Sequence, residues 1–204
     1  MSSIESLSQP LLEAADTVEE APWRVDLSKP DNSEYEIGRP FLVWALWYFL
    51  GAPLVRSRVL PISALKCGVL RLFGARIGEG VYIKPGVSVK FPWRLSIGDH
   101  CWIGEDTWID NLAQVDIESN VCVSQNVYLC TGNHDWTTSN LKLFRQPIVL
   151  REGCWIGARV TVCPGTTVGA AAVLAVGSVV SKHVPALQIW AGNPATYIRP
   201  RKIN

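Results

Sequence analysis

An aliphatic residue recurs every six positions between Ile77 and Val180. The series runs Ile77, Ile83, Val89; Ile97, Ile103, Ile109; Ile117, Val123, Leu129; Leu150, Ile156, Val162; and Val168, Leu174, Val180. Four residues after these come small or β-branched side chains, among them Val81, Cys101, Thr107, Val121, Cys154, Thr166 and Ser178. Glycine takes the second position at Gly78, Gly98, Gly104, Gly157 and Gly169. Neither the helical period of about 3.6 nor the strand period of 2 describes this pattern. Six residues make one short strand and one bend, the aliphatic side chain pointing inward and the small one fitting the corner. The pattern predicts an all-β chain: a parallel β-helix in which three units close a triangular coil, so that fifteen units give about five coils.

The register slips by two between Val89 and Ile97 and again between Ile109 and Ile117, which reads as small corner insertions. Leu129 to Leu150 spans twenty-one residues where six are expected, so fifteen are ejected as an excursion over 135–149. Long loops on rigid scaffolds tend to carry function. Ahead of the repeats, Phe41–Val55 runs fifteen residues without a charge. That is short of the roughly 20 apolar residues that span a bilayer. Arg56, Arg58, Lys66, Arg71 and Arg76 follow it. Pro61–Phe73 reads as a helix with Ile62, Leu65, Val69, Leu70 and Phe73 on its apolar face and Gly74 past its end. Two readings of Phe41–Val55 stay open: a helix or arm packed on protein, or an interfacial helix with its aromatic face in a membrane.

The domain plan is therefore a flexible acidic leader over 1–37, an apolar and helical extension over 38–76, the β-helix over 77–185, and a C-terminal tail over 186–204. The net charge of +1 conceals an asymmetry: residues 1–36 carry nine acids and two bases, the remainder seventeen bases and nine acids. The leader lacks the basic start and apolar run of a signal peptide. A basic body suits a polyanionic ligand, although scattered surface cations are ordinary. Six cysteines occupy corner or glycine-like slots with no CxxC pair, and they read as reduced packing residues rather than disulfides or metal ligands. Of three histidines, His100 and His183 sit at corners, and His134 alone lies where a scaffold strand gives way to the excursion, beside Asp135.

The hexapeptide array, the loop Thr131-Gly-Asn-His-Asp-Trp136, the return into Cys154-Trp-Ile-Gly157 and the ending Ala191-Gly-Asn-Pro-Ala195 resemble the hexapeptide-repeat acyltransferases. Within them the likeness is greatest to the colanic-acid type O-acetyltransferases of polysaccharide biosynthesis. It extends over roughly 38–203. The resemblance implies a left-handed β-helix, a homotrimer with active sites between neighbouring subunits, and acetyl-CoA as co-substrate with no metal. It implies His134 as general base, Asp135 as an orienter of the imidazole or a cap of the loop turn, and the Ala158 N–H as oxyanion donor. Imidazole has an unperturbed pKa near 6.5 and can accept a proton at neutral pH. Trp155 and Gly157 would wall the acetyl and pantetheine end, with Val176, Ser181, Lys182, Arg199 and Arg201 along the rest of the CoA groove. Asp106, Asn111 and Trp136 would face the acceptor. Asp106 stands where related sugar acetyltransferases carry an asparagine, and an ionised carboxylate cannot donate a hydrogen bond.

The resemblance therefore implies an acetyl-CoA-dependent O-acetyltransferase acting on a sugar hydroxyl in exopolysaccharide or capsule assembly. The acceptor is a saccharide, lipid-linked or free, met in the cytoplasm or at the inner face of the membrane through Phe41–Val55, with no nucleic acid involved. The alternatives are an N-acetyltransferase on an amino sugar, a non-catalytic β-helix assembly subunit, and a zinc enzyme of the γ-carbonic-anhydrase type.

Overall fold

The computed structural model describes residues 24–203. Most of the acidic leader, residues 1–23, lies outside the described residues. The chain divides into two compact units at Asn32/Ser33, Asn133/His134 and Lys142/Leu143.

The larger unit is a parallel β-helix with three faces of five stacked strands, hence five full coils. The first face stacks Arg76–Ile77, Leu95–Ile97, Val115–Ile117, Ile148–Leu150 and Thr167–Val168. The second stacks Tyr82–Ile83, Trp102–Ile103, Cys122–Val123, Trp155–Ile156 and Val173–Leu174. The third stacks Ser88–Val89, Trp108–Asp110, Tyr128–Cys130, Thr161–Val162 and Val179–Val180.

Parallel register places Ile77, Ile97, Ile117, Leu150 and Val168 one above another, and the other two faces align their own aliphatic columns in the same way. The predicted series is thus the inward series, and all but Ile77 are buried. Stacking pairs each interior strand with the coils above and below and makes one continuous apolar core. At the bends, Asp106, Asn126, Arg159 and Gly177 adopt positive φ.

The two register slips have a packing purpose. The extra residues place Phe91 and Leu112 outside the triangular core, where they form a second cluster with Leu143 from the returning excursion. The excursion leaves earlier than its expected start at 135. Thr131 is buried at its root, its hydroxyl donating to Asp110 O at 2.9 Å and accepting from Ala113 N at 2.9 Å. Gln146 N closes the neck on Thr131 O at 2.8 Å, and the chain re-enters the first face at Ile148. Between these points Gly132–Asp135 pairs with Lys142–Arg145.

Phe41–Val55 is helical: α1 (Phe41–Leu46), a π-helical turn (Trp47–Gly51) and α2 (Ala52–Arg56) follow without a break. One side packs on the β-helix through Trp47, Gly51 and Val55, and Trp47 Nε1 donates to Lys90 O at 2.9 Å. The next helix, α3 (Ser63–Leu72), is shorter than Pro61–Phe73, and of the expected apolar face Val69, Leu70 and Phe73 pack on the core. Lys66, Cys67 and Leu70 are buried, whereas Ile62, Leu65 and Leu72 are exposed. Lys66 is only 1% exposed because its ammonium caps two backbone carbonyls, Ser57 O at 3.1 Å and Lys84 O at 3.2 Å. Burial lowers its pKa from the ordinary lysine value.

At the other end the tail forms a hairpin, Gln188–Gly192 with Ala195–Pro200, which continues the second face on Val173–Leu174. All six cysteines are unpaired. Burial pushes the Cys154 thiol up to about 12, consistent with an inert packing group.

Candidate functional site

His134 stands exposed on the outgoing strand of the excursion hairpin. Its Nδ1 lies 2.6 Å from Leu141 O. A carbonyl oxygen only accepts, so Nδ1 carries the proton, and the lone pair of the neutral ring resides on Nε2. The hairpin holds this geometry through a tight turn. Asp135 Oδ1 accepts from Thr137 N at 2.9 Å and from Thr137 Oγ1 at 2.6 Å. Thr138 Oγ1 accepts from Lys142 N at 2.9 Å and donates to Asp135 O at 2.8 Å. The side-chain and backbone bonds from Thr137 hold the Asp135 carboxyl below its ordinary value. The Asp135 carboxylate caps the loop turn, and the imidazole Nδ1 is oriented by a backbone carbonyl. Trp136, at the tip, is 81% exposed.

In the β-helix, stacking sorts the remaining candidates onto edges. Ala158 is held between neighbouring coils at the corner joining the second and third faces, where Arg159 N donates to Gln125 O and Gly177 N donates to Ala158 O, both at 2.9 Å. The same ladder of corner bonds runs up through Asn126 and Asp106. This edge therefore collects Asp106, Ala158 and Val176, with Trp155 leading in from the second face and its Nε1 bonded to Ser124 Oγ at 2.9 Å. The Ala158 N–H makes no hydrogen bond to the described residues. Gly157 is required here: a Cβ would stand 2.5 Å from Leu174 O and 2.9 Å from Val176 N in the next coil. Val176, Ser181, Lys182 and Arg199 are all exposed. Ser181 and Lys182 follow the last strand of the third face, and Arg199 lies opposite Ile189 in the tail hairpin.

Three of the expected ligand residues bond to the protein itself. Asn111 is fully buried; its Oδ1 accepts from Phe91 N at 2.9 Å and its Nδ2 donates to Phe91 O at 2.6 Å and Arg94 O at 3.0 Å. It holds the inserted Phe91–Arg94 turn and presents nothing to an acceptor. The half-buried Arg201 donates through Nη1 to Gly153 O at 3.1 Å and Ala171 O at 3.0 Å, stapling the tail to the coils. Asp106 pairs with Arg58 at 2.5 Å, a partner from the α2–α3 connection that the spacing gave no reason to expect.

The sequence reading also passed over a network on the third face. Lys90 Nζ lies 2.9 Å from Asp110 Oδ1, and the Tyr128 hydroxyl donates to Asp110 Oδ2 at 3.1 Å. Trp108 and Tyr128 stack at 4.6 Å. Burial raises the Tyr128 phenol well above its usual value, and Cys130 and Asp110 add to the effect, so the hydroxyl stays protonated and donating. Trp108 and Lys90 also line a cavity of about 620 Å³ with Trp44, Trp47 and Tyr48. The signal was available: Lys90, Asp110 and Cys130 fall one coil apart, in a slot usually given to a small residue. Among the described residues no group of three or more His, Cys, Asp and Glu converges as a metal site would require.

Residues 94–130 and 147–182 match the family model described as the hexapeptide repeat of succinyl-transferase. The candidate colanic acid biosynthesis acetyltransferase WcaF of Escherichia coli is 38% identical over 156 residues, 76% of this chain and 86% of that protein. The galactoside O-acetyltransferase of Escherichia coli is 31% identical over 61% of this chain and 63% of its own length. A solved hexapeptide-repeat acetyltransferase from Vibrio cholerae superposes with a TM-score of 0.72 at 25% identity, covering 79% of this chain and 94% of that one. Galactoside acetyltransferase in complex with coenzyme A has the same fold, with a TM-score of 0.69 at 24% identity over 79% and 82% of the two chains.

Proposed function

Because this chain belongs to the hexapeptide-repeat acyltransferases, we propose that it transfers an acetyl group from acetyl-CoA to a saccharide hydroxyl in exopolysaccharide or capsule assembly. The observation that supports the reading best is the 2.6 Å contact between His134 Nδ1 and Leu141 O. With Nδ1 committed to Leu141 O, Nε2 is the basic nitrogen, held on a hairpin with a capped turn. It takes the proton of the acceptor hydroxyl as that oxygen attacks the thioester carbonyl. The oxyanion of the tetrahedral intermediate meets the Ala158 N–H, and the CoA thiolate leaves, taking the proton back from the imidazolium. Direct transfer of this kind needs alignment and a preorganised donor rather than a covalent enzyme intermediate.

Acetyl-CoA fits these residues. Trp155 and Val176 offer an apolar wall beside Ala158, and Lys182 and Arg199 are exposed cations for phosphates. A related fold has been solved with acetyl-CoA bound. The oxyanion donor sits on the edge joining the second and third faces, whereas the excursion is rooted at Thr131 on the edge joining the third and first. A catalytic site that uses both edges of a triangular prism is completed by a neighbour, which supports a homotrimer with sites in the clefts between subunits. The acceptor we favour is a lipid-linked saccharide met from the cytoplasm at the inner face of the membrane. No helix among the described residues is long and apolar enough to cross a membrane.

An acceptor screen with labelled acetyl-CoA tests the reading. Lipid-linked and free saccharides should draw label into a product whose acetyl group is released by mild alkali, as an ester is and an amide is not. Label fixed in an alkali-stable amide would transfer the assignment to an amino sugar. Failure of every saccharide to accelerate CoA release would remove it.

A further inference from the structure

The α1–α2 segment is apolar all round, which a helix packed against one side of a soluble protein is not. Its inner side is accounted for by Trp47, Gly51 and Val55. Its outer side exposes Phe41, Leu42, Leu46, Phe49 and Leu50, the first of them by 71%. The inversion continues in α3, where Lys66 is buried and Leu72 is 79% exposed. Val59, between the helices, is 89% exposed. Two consecutive helices thus turn aliphatic and aromatic side chains outward, more than scattered surface apolar residues account for.

Charge identifies the occupant. From Ile37 to Gly78 there is no Asp or Glu, while Arg39, Arg56, Arg58, Lys66, Arg71 and Arg76 are all basic. Lys66 is buried and Arg58 is paired with Asp106. Arg71 on α3 donates to Ile77 O at 3.0 Å and Gly78 O at 2.8 Å, which leaves Arg39 and Arg56, exposed at the two ends of the α1–α2 segment, as the bordering cations. Apolar side chains bordered by arginines match a bilayer whose hydrocarbon lies beneath anionic headgroups. Trp44 and Tyr48, stacked at 5.6 Å, add the aromatic pair favoured at that boundary.

We propose that α1–α3 is a docking surface for an anionic lipid bilayer, on which the protein lies without crossing it. This deepens the proposed location but does not depend on the chemistry at His134, because the test needs no substrate. Full-length protein is sedimented with phosphatidylcholine vesicles, with and without phosphatidylglycerol. Binding should require phosphatidylglycerol and weaken with salt. Leu42→Ser, Phe49→Ser and Leu50→Ser combined should reduce it at least tenfold, and Arg39→Gln with Arg56→Gln by roughly fivefold per arginine. Both variants should keep the oligomeric state of the parent and its melting temperature. The proposal is overturned if the parent ignores anionic vesicles, or if the serine variant binds them equally well. It is also overturned if the serine variant separates an oligomer into single chains, since the face then belongs to a second copy of the protein.

Discussion

Replacing Asn111 with alanine separates a structural role from a substrate-binding one. The side chain makes three bonds to the backbone, at 2.9, 2.6 and 3.0 Å, in a fully buried position. Each contributes about 1 kcal/mol net, and a buried group left without a partner costs about 1–3 kcal/mol. Phe91 O keeps a second donor, Arg94 N at 3.0 Å, so the main orphans are Phe91 N–H and one lone pair of Arg94 O. The loss should come to about 3–4 kcal/mol, or roughly 10 °C in melting temperature for a chain of this size. Equilibrium unfolding in urea reads the stability, and acetyl transfer per folded molecule reads the chemistry. The structural assignment predicts a destabilised enzyme whose folded fraction works within about threefold of the parent. A variant as stable as the parent but more than a hundredfold slower would return Asn111 to the acceptor site and refute the reasoning.

Gly157→Ala should cost about 1–3 kcal/mol by forcing a methyl group against the backbone of the next coil, and should lower activity by displacing the Ala158 N–H. Gly68→Ala, in α3 with nothing within 4 Å of the added methyl, should instead stabilise by about 0.5–1 kcal/mol; urea midpoints distinguish the two signs. Lys66 has a folded pKa below its unfolded value, so the unfolded chain binds more protons as pH approaches 10.5, and stability gains with pH there. The stability difference between the parent and Lys66→Met should therefore move in the parent's favour as pH rises toward 10.5, and a flat difference would show that the ammonium carries no burial penalty.

The core was legible because a β-helix translates one sequence period directly into one column of side chains. Ile97, Ile117 and Leu150 meet in space for no reason beyond their position in that period. The roles of Asn111 and Arg201 were not legible, since each is decided by carbonyls and amides that only the folded turn brings together. The burial of Lys66 was not legible either: it stood in a basic run, and only the fold brings two carbonyls together beneath α3 where the long stem reaches them. The excursion was visible as a gap in the period. Its neck at Thr131 was not, because the hydroxyl that ties it to Asp110 lies in a corner slot where any small residue satisfies the pattern.

Acetyl transfer by His134→Ala, measured beside the parent with the oligomeric state monitored, reaches the centre of the account. Loss of the imidazole should lower the rate by about 10²–10⁴-fold while assembly and melting temperature hold, as expected when a general base is removed from a solvent-exposed hairpin. An unchanged rate in a correctly assembled variant would contradict the mechanism outright.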